Sequence, residues 1–200
     1  MSYVAAVIGG YLAGSIPTGY WLVRLVRGID IRRVGSRSIG ATNVWRLLGW
    51  KVGVPTIAVD VAKGLVPALL ASLLVDDVAG ALAGGAAMLG HARPLWLKFE
   101  RGGKAVATTA GVLLGIAPIV ALLAAGVWAL TFLVARYVSV GSMAGAVSLP
   151  VFAFALDESW PVRILALAGA AAVVFLHREN IRRLLARKEP RVELAGMFRR

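Results

Sequence analysis

The sequence predicts an all-α, polytopic integral membrane bundle of about seven spans, with its N-terminus outside, its C-terminus cytoplasmic, and a single domain over residues 1–200. Three observations carry that expectation. Of the 200 residues, 59% are hydrophobic and the mean hydropathy is +0.79, whereas a soluble chain of this length needs far more polar residues to cover its surface. The apolar residues form long stretches, each broken by only one or two charges, and not the alternating strands of an outer-membrane barrel. The charges lie between the stretches: Lys plus Arg is 22 against 10 Asp plus Glu, a net charge of +12.

That charge excludes some functions and favours others. Confined to loops and without interleaved aromatics, it does not suit nucleic acid; anionic lipid and anionic substrates fit better. There is no cysteine, so neither a disulfide framework nor thiolate chemistry is expected. The two histidines, His91 and His177, lie far apart, which argues against a protein zinc site; no metal and no cofactor are expected.

The segments follow in order. The first runs from about Ser2 to Val26, with Pro17 as a kink; no basic region precedes it, unlike a cleaved signal. Arg24, Arg27, Arg32, Arg33, Arg37, Arg46 and Lys51 then mark a cytoplasmic loop. The second, about Val52 to Val75, holds Asp60 and Lys63 three apart on one helical face, where they are expected to pair. Asp76-Asp77 makes an acidic outside turn, and a Gly/Ala-rich third segment runs from about Val78 to Leu97. The run from Ala105 to Val134 reads as one long crossing or as two that turn near Gly115–Pro118. Charge decides for two, because Arg136 and the basic tail (Arg178 onward, to Arg199 and Arg200) then share the cytoplasmic side. The span after Ala105 is then shorter than the ~17-residue lower limit, a half-length helix buried among its neighbours. Val138–Leu156, the acidic turn Asp157-Glu158 and Trp160–Leu176 complete the set.

This topology brings three polar segments to one face. The first reads Gly35-Ser-Arg-Ser-Ile-Gly-Ala-Thr-Asn-Val-Trp-Arg46. Thr42 or Asn43 is expected to cap a short helix, Gly40 and the capped amides could cradle an anion, and Arg46 could grip phosphate through a two-pronged fork; an ordinary capped interfacial helix fits the same residues. The second, Gly90 to Thr108, gathers Lys98, Arg101 and Lys104 around Gly102-Gly103 before a helix start. Two glycines let a ligand approach the backbone, and free amides plus Lys104 suit phosphate; a basic loop obeying the positive-inside rule is the plainer reading. The third, His177 to Arg191, aligns His177, Asn180, Ile181 and Leu184 on one helical face, so that His177 either handles a substrate proton or merely packs at a helix end. Gly-Gly-Lys lacks the rest of a P-loop, no G-x-S-x-G elbow is present, and neither histidine begins an H-x-x-x-x-D pattern.

At these loops the chain resembles the acyl-phosphate:glycerol-3-phosphate acyltransferase family, the PlsY type, of bacterial membranes. The resemblance covers nearly the whole chain. It rests on Gly35-Ser36, Gly40-Ala-Thr-Asn43 and Arg46; on Gly90-His91, Pro94, Gly102-Gly-Lys104 and Val106-Ala-Thr108; and on His177, Asn180-Ile181, Arg183-Leu184, Glu189 and Arg191. Asp60-Val-Ala-Lys-Gly64 and Arg136-Tyr-Val-Ser139 also look like family features. It implies transfer of an acyl chain from acyl phosphate to the 1-hydroxyl of sn-glycerol 3-phosphate, giving lysophosphatidic acid and inorganic phosphate, the first acylation of phospholipid synthesis, at the cytoplasmic side of the bacterial inner membrane among membrane lipids. It further implies that Arg46 and Lys104 hold phosphates, that Gly102, Gly103, Gly40 and the amides of Thr42 and Asn43 line anion pockets, that Ser36 bonds the acyl phosphate with Ser142 on the same side, and that His177 and Asn180 orient the glycerol hydroxyl. Four places depart from the usual pattern: Arg37-Ser38 replace Gly-Asn, Ala105 and Arg187 each replace a glycine, and the stretch from His91 to Lys104 is one residue longer, with Arg101 before the glycines. Two other classes fit parts of the sequence. A transporter for a phosphorylated metabolite would explain Asp60, Lys63 and the Pro-Gly breaks, and a non-catalytic paralogue binding anionic lipid would explain the basic loops.

Overall fold

The computed structural model describes residues 2–193, so Arg199 and Arg200 lie outside the described residues. Every regular element among the described residues is helical. The first expected span is two helices, α1 (Tyr3–Gly14) and α2 (Thr18–Arg27), parted at Ser15-Ile16-Pro17. Proline has no N–H to donate and the ladder ends here; Ile16 O accepts from Thr18 N at 3.0 Å and from the ammonium of Lys63 at 2.9 Å. A 3₁₀ turn at Ile31–Arg33 and the short helix α3 (Ala41–Leu48) follow.

Helix α4 (Trp50–Leu74) has 25 residues, about 37 Å at 1.5 Å per residue, enough to cross a bilayer. Within it Lys63 Nζ lies 2.7 Å from Asp60 Oδ1, both side chains buried, which is the expected pair. Helix α5 (Asp77–Ala92) is capped by Asp76, whose Oδ1 accepts from Ala79 N at 2.8 Å. It stops five residues short of Leu97, because Pro94 drives Arg93 out of helical geometry; Leu95–Leu97 form a 3₁₀ turn instead.

The break expected near Gly115–Pro118 is present. Helix α6 (Val106–Ile116) has 11 residues, and α7 (Pro118–Ala135) begins on the proline, where a missing N–H does no harm. Helices α8 (Val138–Ala155) and α9 (Trp160–Leu176) follow, and α10 (Arg178–Leu185) leaves α9 at a 52° bend centred on His177. Among the described residues α4, α7 and α8 are long and apolar enough to cross a membrane, with α9 plus α10 a fourth candidate if that bent pair is one span.

The helices pack in a chain of neighbours: α1 against α5, α4 against both α5 and α6, α7 against α8, and α8 against α9. Small residues set the closest approach. A Cβ on Gly64 would overlap Thr108 O, and one on Gly111 would overlap Val61 O, so α4 and α6 touch backbone to backbone. The main core joins Val112 and Leu113 of α6, Val120 of α7, Leu149 of α8 and Val162 of α9. A second, smaller core (Val23, Ile31, Ile39, Val44, Leu97) sits beneath the first polar loop and ties it to α2 and α3.

Candidate active site

A cavity of about 460 Å³ receives residues from all three polar segments: Ser36 to Arg46, His91 to Ala110, and His177 to Glu189. Arg46, Lys104 and His177 thus share one chamber although as many as 131 positions separate them in sequence.

The first segment is folded around Asn43. Its amide nitrogen donates to Val34 O at 3.1 Å and Ser38 O at 2.9 Å, while its oxygen accepts from Ser36 N at 3.1 Å. This corrects the capping expectation: the N-cap of α3 is Gly40, and no side chain caps it. Thr42 and Asn43 lie inside the helix, because Asn43 serves the preceding loop and leaves the helix start open to the cavity. Gly40 and Thr42 line that opening, Ser36 lines it beside them, and Arg46 stands exposed at the mouth. Asn43 N donates to Gly40 O at 3.0 Å and so, contrary to expectation, is not offered to an anion; the Ala41 and Thr42 amides ahead of it open the helix, and this end favours an anion.

The second segment is arranged differently from expectation at its glycines. Gly102 N donates to Ala92 O and Gly103 N to His91 O, both at 3.0 Å. Neither glycine lines the cavity, so their amides are not offered to an anion there. A side chain on Gly102 would overlap His91 O, and one on Gly103 would overlap the His91 ring. The glycines therefore let the loop fold flat against the end of α5 and aim Lys104 inward. Lys104 Nζ donates to Asn180 Oδ1 at 2.6 Å.

The third segment supplies His177 and Asn180, both at most 4% exposed. His177 sits at the α9–α10 bend, not within one continuous helix. Its Nδ1 lies 2.8 Å from Val173 O; a carbonyl can only accept, so Nδ1 carries the proton and Nε2 is the free acceptor. Burial, then the Lys104 charge, lowers the His177 pKa to about 4, leaving a neutral ring. Burial and the neighbouring Arg183, Arg101 and Arg46, partly offset by Glu189, lower Lys104 to about 8.

Glu189 and Ser139 also belong to the site, although neither was a candidate from the sequence. The Glu189 carboxylate accepts from Asn180 Nδ2 at 2.7 Å, Ser139 Oγ at 2.8 Å and Arg183 Nε at 2.7 Å. Burial alone would raise its pKa, but these bonds outweigh that and hold it below the usual carboxylate range. Glu189 was visible only as part of the family pattern, because the turn at 186–188 that returns it to Asn180 has no signature of its own. Asp60 and His91 form part of the wall, with His91 Nδ1 3.7 Å from Asp60 Oδ1.

Below this polar head the cavity continues as an apolar shaft along α8, from Ser139 through Ser142, Gly145 and Ala146 to Leu149, roughly 15 Å of helix. Ala121, Ala124 and Trp128 of α7 line it opposite, and Trp128 Nε1 donates to Ser142 Oγ at 3.4 Å. A cationic, hydrogen-bonding head over an apolar shaft suits a phosphate-bearing molecule with a long hydrocarbon tail.

The three glycine replacements share a feature. Arg37 (φ 58°), Ala105 (φ 59°) and Arg187 (φ 54°) all lie in the left-handed region. The chain keeps the backbone shape that glycine would adopt freely and places a side chain on it.

Residues 4–187 match the glycerol-3-phosphate acyltransferase family. A glycerol-3-phosphate acyltransferase from a Synechococcus species is 48% identical over 192 residues, 96% of each chain. One from Desulforamulus reducens is 46% identical over 183 residues, 91% of each chain. The fold superposes on a crystal structure of PlsY (YgiH), an integral membrane glycerol 3-phosphate acyltransferase in its glycerol 3-phosphate form, with a TM-score of 0.93, 39% identity and 98% of each chain covered. The lysophosphatidic acid form of the same protein gives 0.90 at 38% identity, again over 98% of each chain.

Proposed function

The chain belongs to the glycerol-3-phosphate acyltransferase family and is a multi-pass membrane protein that acylates glycerol 3-phosphate; from that premise we propose that its donor is an acyl phosphate, that the 1-hydroxyl is acylated, and that the cavity described above is where transfer occurs. The observation that carries this reading is the convergence of Arg46, Lys104, His177 and Asn180 on one chamber with an apolar shaft beneath it.

In this reading the donor's acyl chain fills the shaft and its phosphate meets Ser36, Ser142 and the open start of α3. Glycerol 3-phosphate enters at the mouth, its phosphate held by Arg46 and Lys104. Its hydroxyl donates to His177 Nε2 and is aligned by Asn180, which Glu189 and Lys104 hold in place. The hydroxyl oxygen attacks the donor's carbonyl carbon, the bond from that carbon to the phosphate oxygen breaks, and inorganic phosphate leaves. A ring with a pKa of about 4 is a poor keeper of a proton, whereas a phosphate dianion, with a pKa of roughly 6, is a better one; the proton departs with the phosphate and His177 orients. The donor is already activated, so no covalent acyl-enzyme is required, and positioning plus charge stabilisation supply most of the acceleration.

The same reading puts the N-terminus outside, the site and C-terminus at the cytoplasmic side of a bacterial inner membrane, and seven crossings in the chain: α1–α2 as one broken span, then α4, α5, α6, α7, α8 and α9. Purified protein given acyl phosphate and labelled glycerol 3-phosphate tests it. Lysophosphatidic acid with release of inorganic phosphate is the expected outcome. Flux of the phosphoester without product would instead identify a transporter, and binding without either would identify a lipid-binding paralogue.

A further inference from the structure

Two ties cross from the Gly-Gly-Lys loop to α10, and they differ in kind. Lys104 Nζ reaches Asn180 Oδ1 at 2.6 Å. Three residues earlier, Arg101 grips Glu179 with both prongs, Nη1 to Oε1 at 2.5 Å and Nη2 to Oε2 at 3.0 Å. Adjacent residues on α10 therefore hold the two ends of the tetrad Arg101-Gly-Gly-Lys104. Only the inner tie faces the cavity; neither Arg101 nor Glu179 lines it.

The inner tie is shared once substrate binds. An ammonium has three donors, and a phosphate that takes one of them draws Lys104 toward itself and loads its bond to Asn180. While Lys104 serves a substrate phosphate as well as Asn180, the loop keeps its anchorage to α5 through Gly102 and Gly103, and on the α10 side the Arg101–Glu179 fork is the tie that substrate does not share. On the loop's other side Glu100 pairs with Arg32, fixed in turn by Asp30. Neighbouring residues of opposite sign thus brace the loop in two directions.

Resting on the reading of this cavity as the glycerol 3-phosphate site, we propose that Arg101 and Glu179 are positioning residues, a latch that keeps the Lys104 loop docked on α10 while Lys104 is engaged with phosphate. A half-exposed pair contributes little to overall stability. Its effect therefore falls on the affinity for glycerol 3-phosphate and leaves the melting temperature alone.

The test uses the full chain in detergent, with wild-type turnover measured first; a wild type that makes no lysophosphatidic acid refutes the functional reading itself and is distinguishable from failure of the latch. Arg101→Glu and Glu179→Arg should each raise KM for glycerol 3-phosphate about tenfold, with kcat changed less than about threefold, and the double reversal R101E/E179R should return KM to near the wild-type value. A simple field effect predicts otherwise, since Glu179→Arg adds positive charge near an anionic substrate and would lower KM. Should either reversal fold poorly, Glu179→Gln, which keeps shape and removes charge, replaces it and should raise KM. A lowered KM in Glu179→Arg, unchanged KM in the single variants, or a well-folded double variant as impaired as the singles would each overturn the latch.

Discussion

At Ala105 the backbone takes φ 59°, directly after Lys104 and before the first turn of α6. An L-residue in that region carries a penalty of about 1–2 kcal/mol that glycine escapes, partly offset by glycine's greater freedom when unfolded. Ala105→Gly is therefore expected to raise the melting temperature by about 2 °C in a scanning assay; a fall would mean that the Cβ packs usefully in its buried position. One residue earlier, at the pocket rim, charge matters more than shape. Lys104, lowered to about 8, is cationic below that pH and neutral above it. Since kcat/KM reports the free enzyme, its alkaline limb should fall as pH rises through about 8, and Lys104→Arg, which does not titrate, should move that limb to higher pH while Lys104→Met abolishes transfer with membrane insertion intact. A limb unmoved by Lys104→Arg would assign the titration to another group.

At the scale of elements, the shaft depends on α7 and α8 offering small residues where they face each other. Gly145 has Ala124 O and the Trp128 Cβ close above it, and Ala146 is buried halfway down. Ala146→Leu narrows the passage at that level and is expected to lower kcat/KM for long acyl donors about tenfold relative to short ones; equal losses for both would place the chain elsewhere. The helices also show how far periodicity and punctuation reach. Trp160–Leu176 ends where apolarity ends, and Pro118 divides α6 from α7 as the charge balance requires. Where a side chain chooses between local partners, the pattern does not decide. Asn43 looked like a cap for α3 and instead bonds three groups of the loop behind it. Pro17 suggested a kink and yields a full break, where Ile16 O accepts both from Thr18 N and from the ammonium of Lys63, 47 positions away.

For the whole molecule, the proposed seven crossings make a parity prediction. The chain has no cysteine, so single cysteines report unambiguously on sidedness. Asp77→Cys, exposed at the start of α5, should react with a membrane-impermeant maleimide in intact cells, and Lys188→Cys, exposed in the tail, only after permeabilisation. Labelling of both from outside would mean that the stretch from Ala105 to Val134 crosses once.

The sequence by itself determined the class of the molecule, its apolar segments and the three polar loops between them, because partition between lipid and water acts on each segment separately and is written in local composition. It also supplied the family, through motifs whose order and spacing survive without coordinates. Only the tertiary structure decided how those loops meet: that Gly102 and Gly103 fold against His91 and Ala92 while Lys104 turns into the cavity, that Glu189 holds Asn180, and that Arg101 finds Glu179. Such contacts join residues up to 78 positions apart, and their energies depend on distances of a few ångströms that no local pattern encodes.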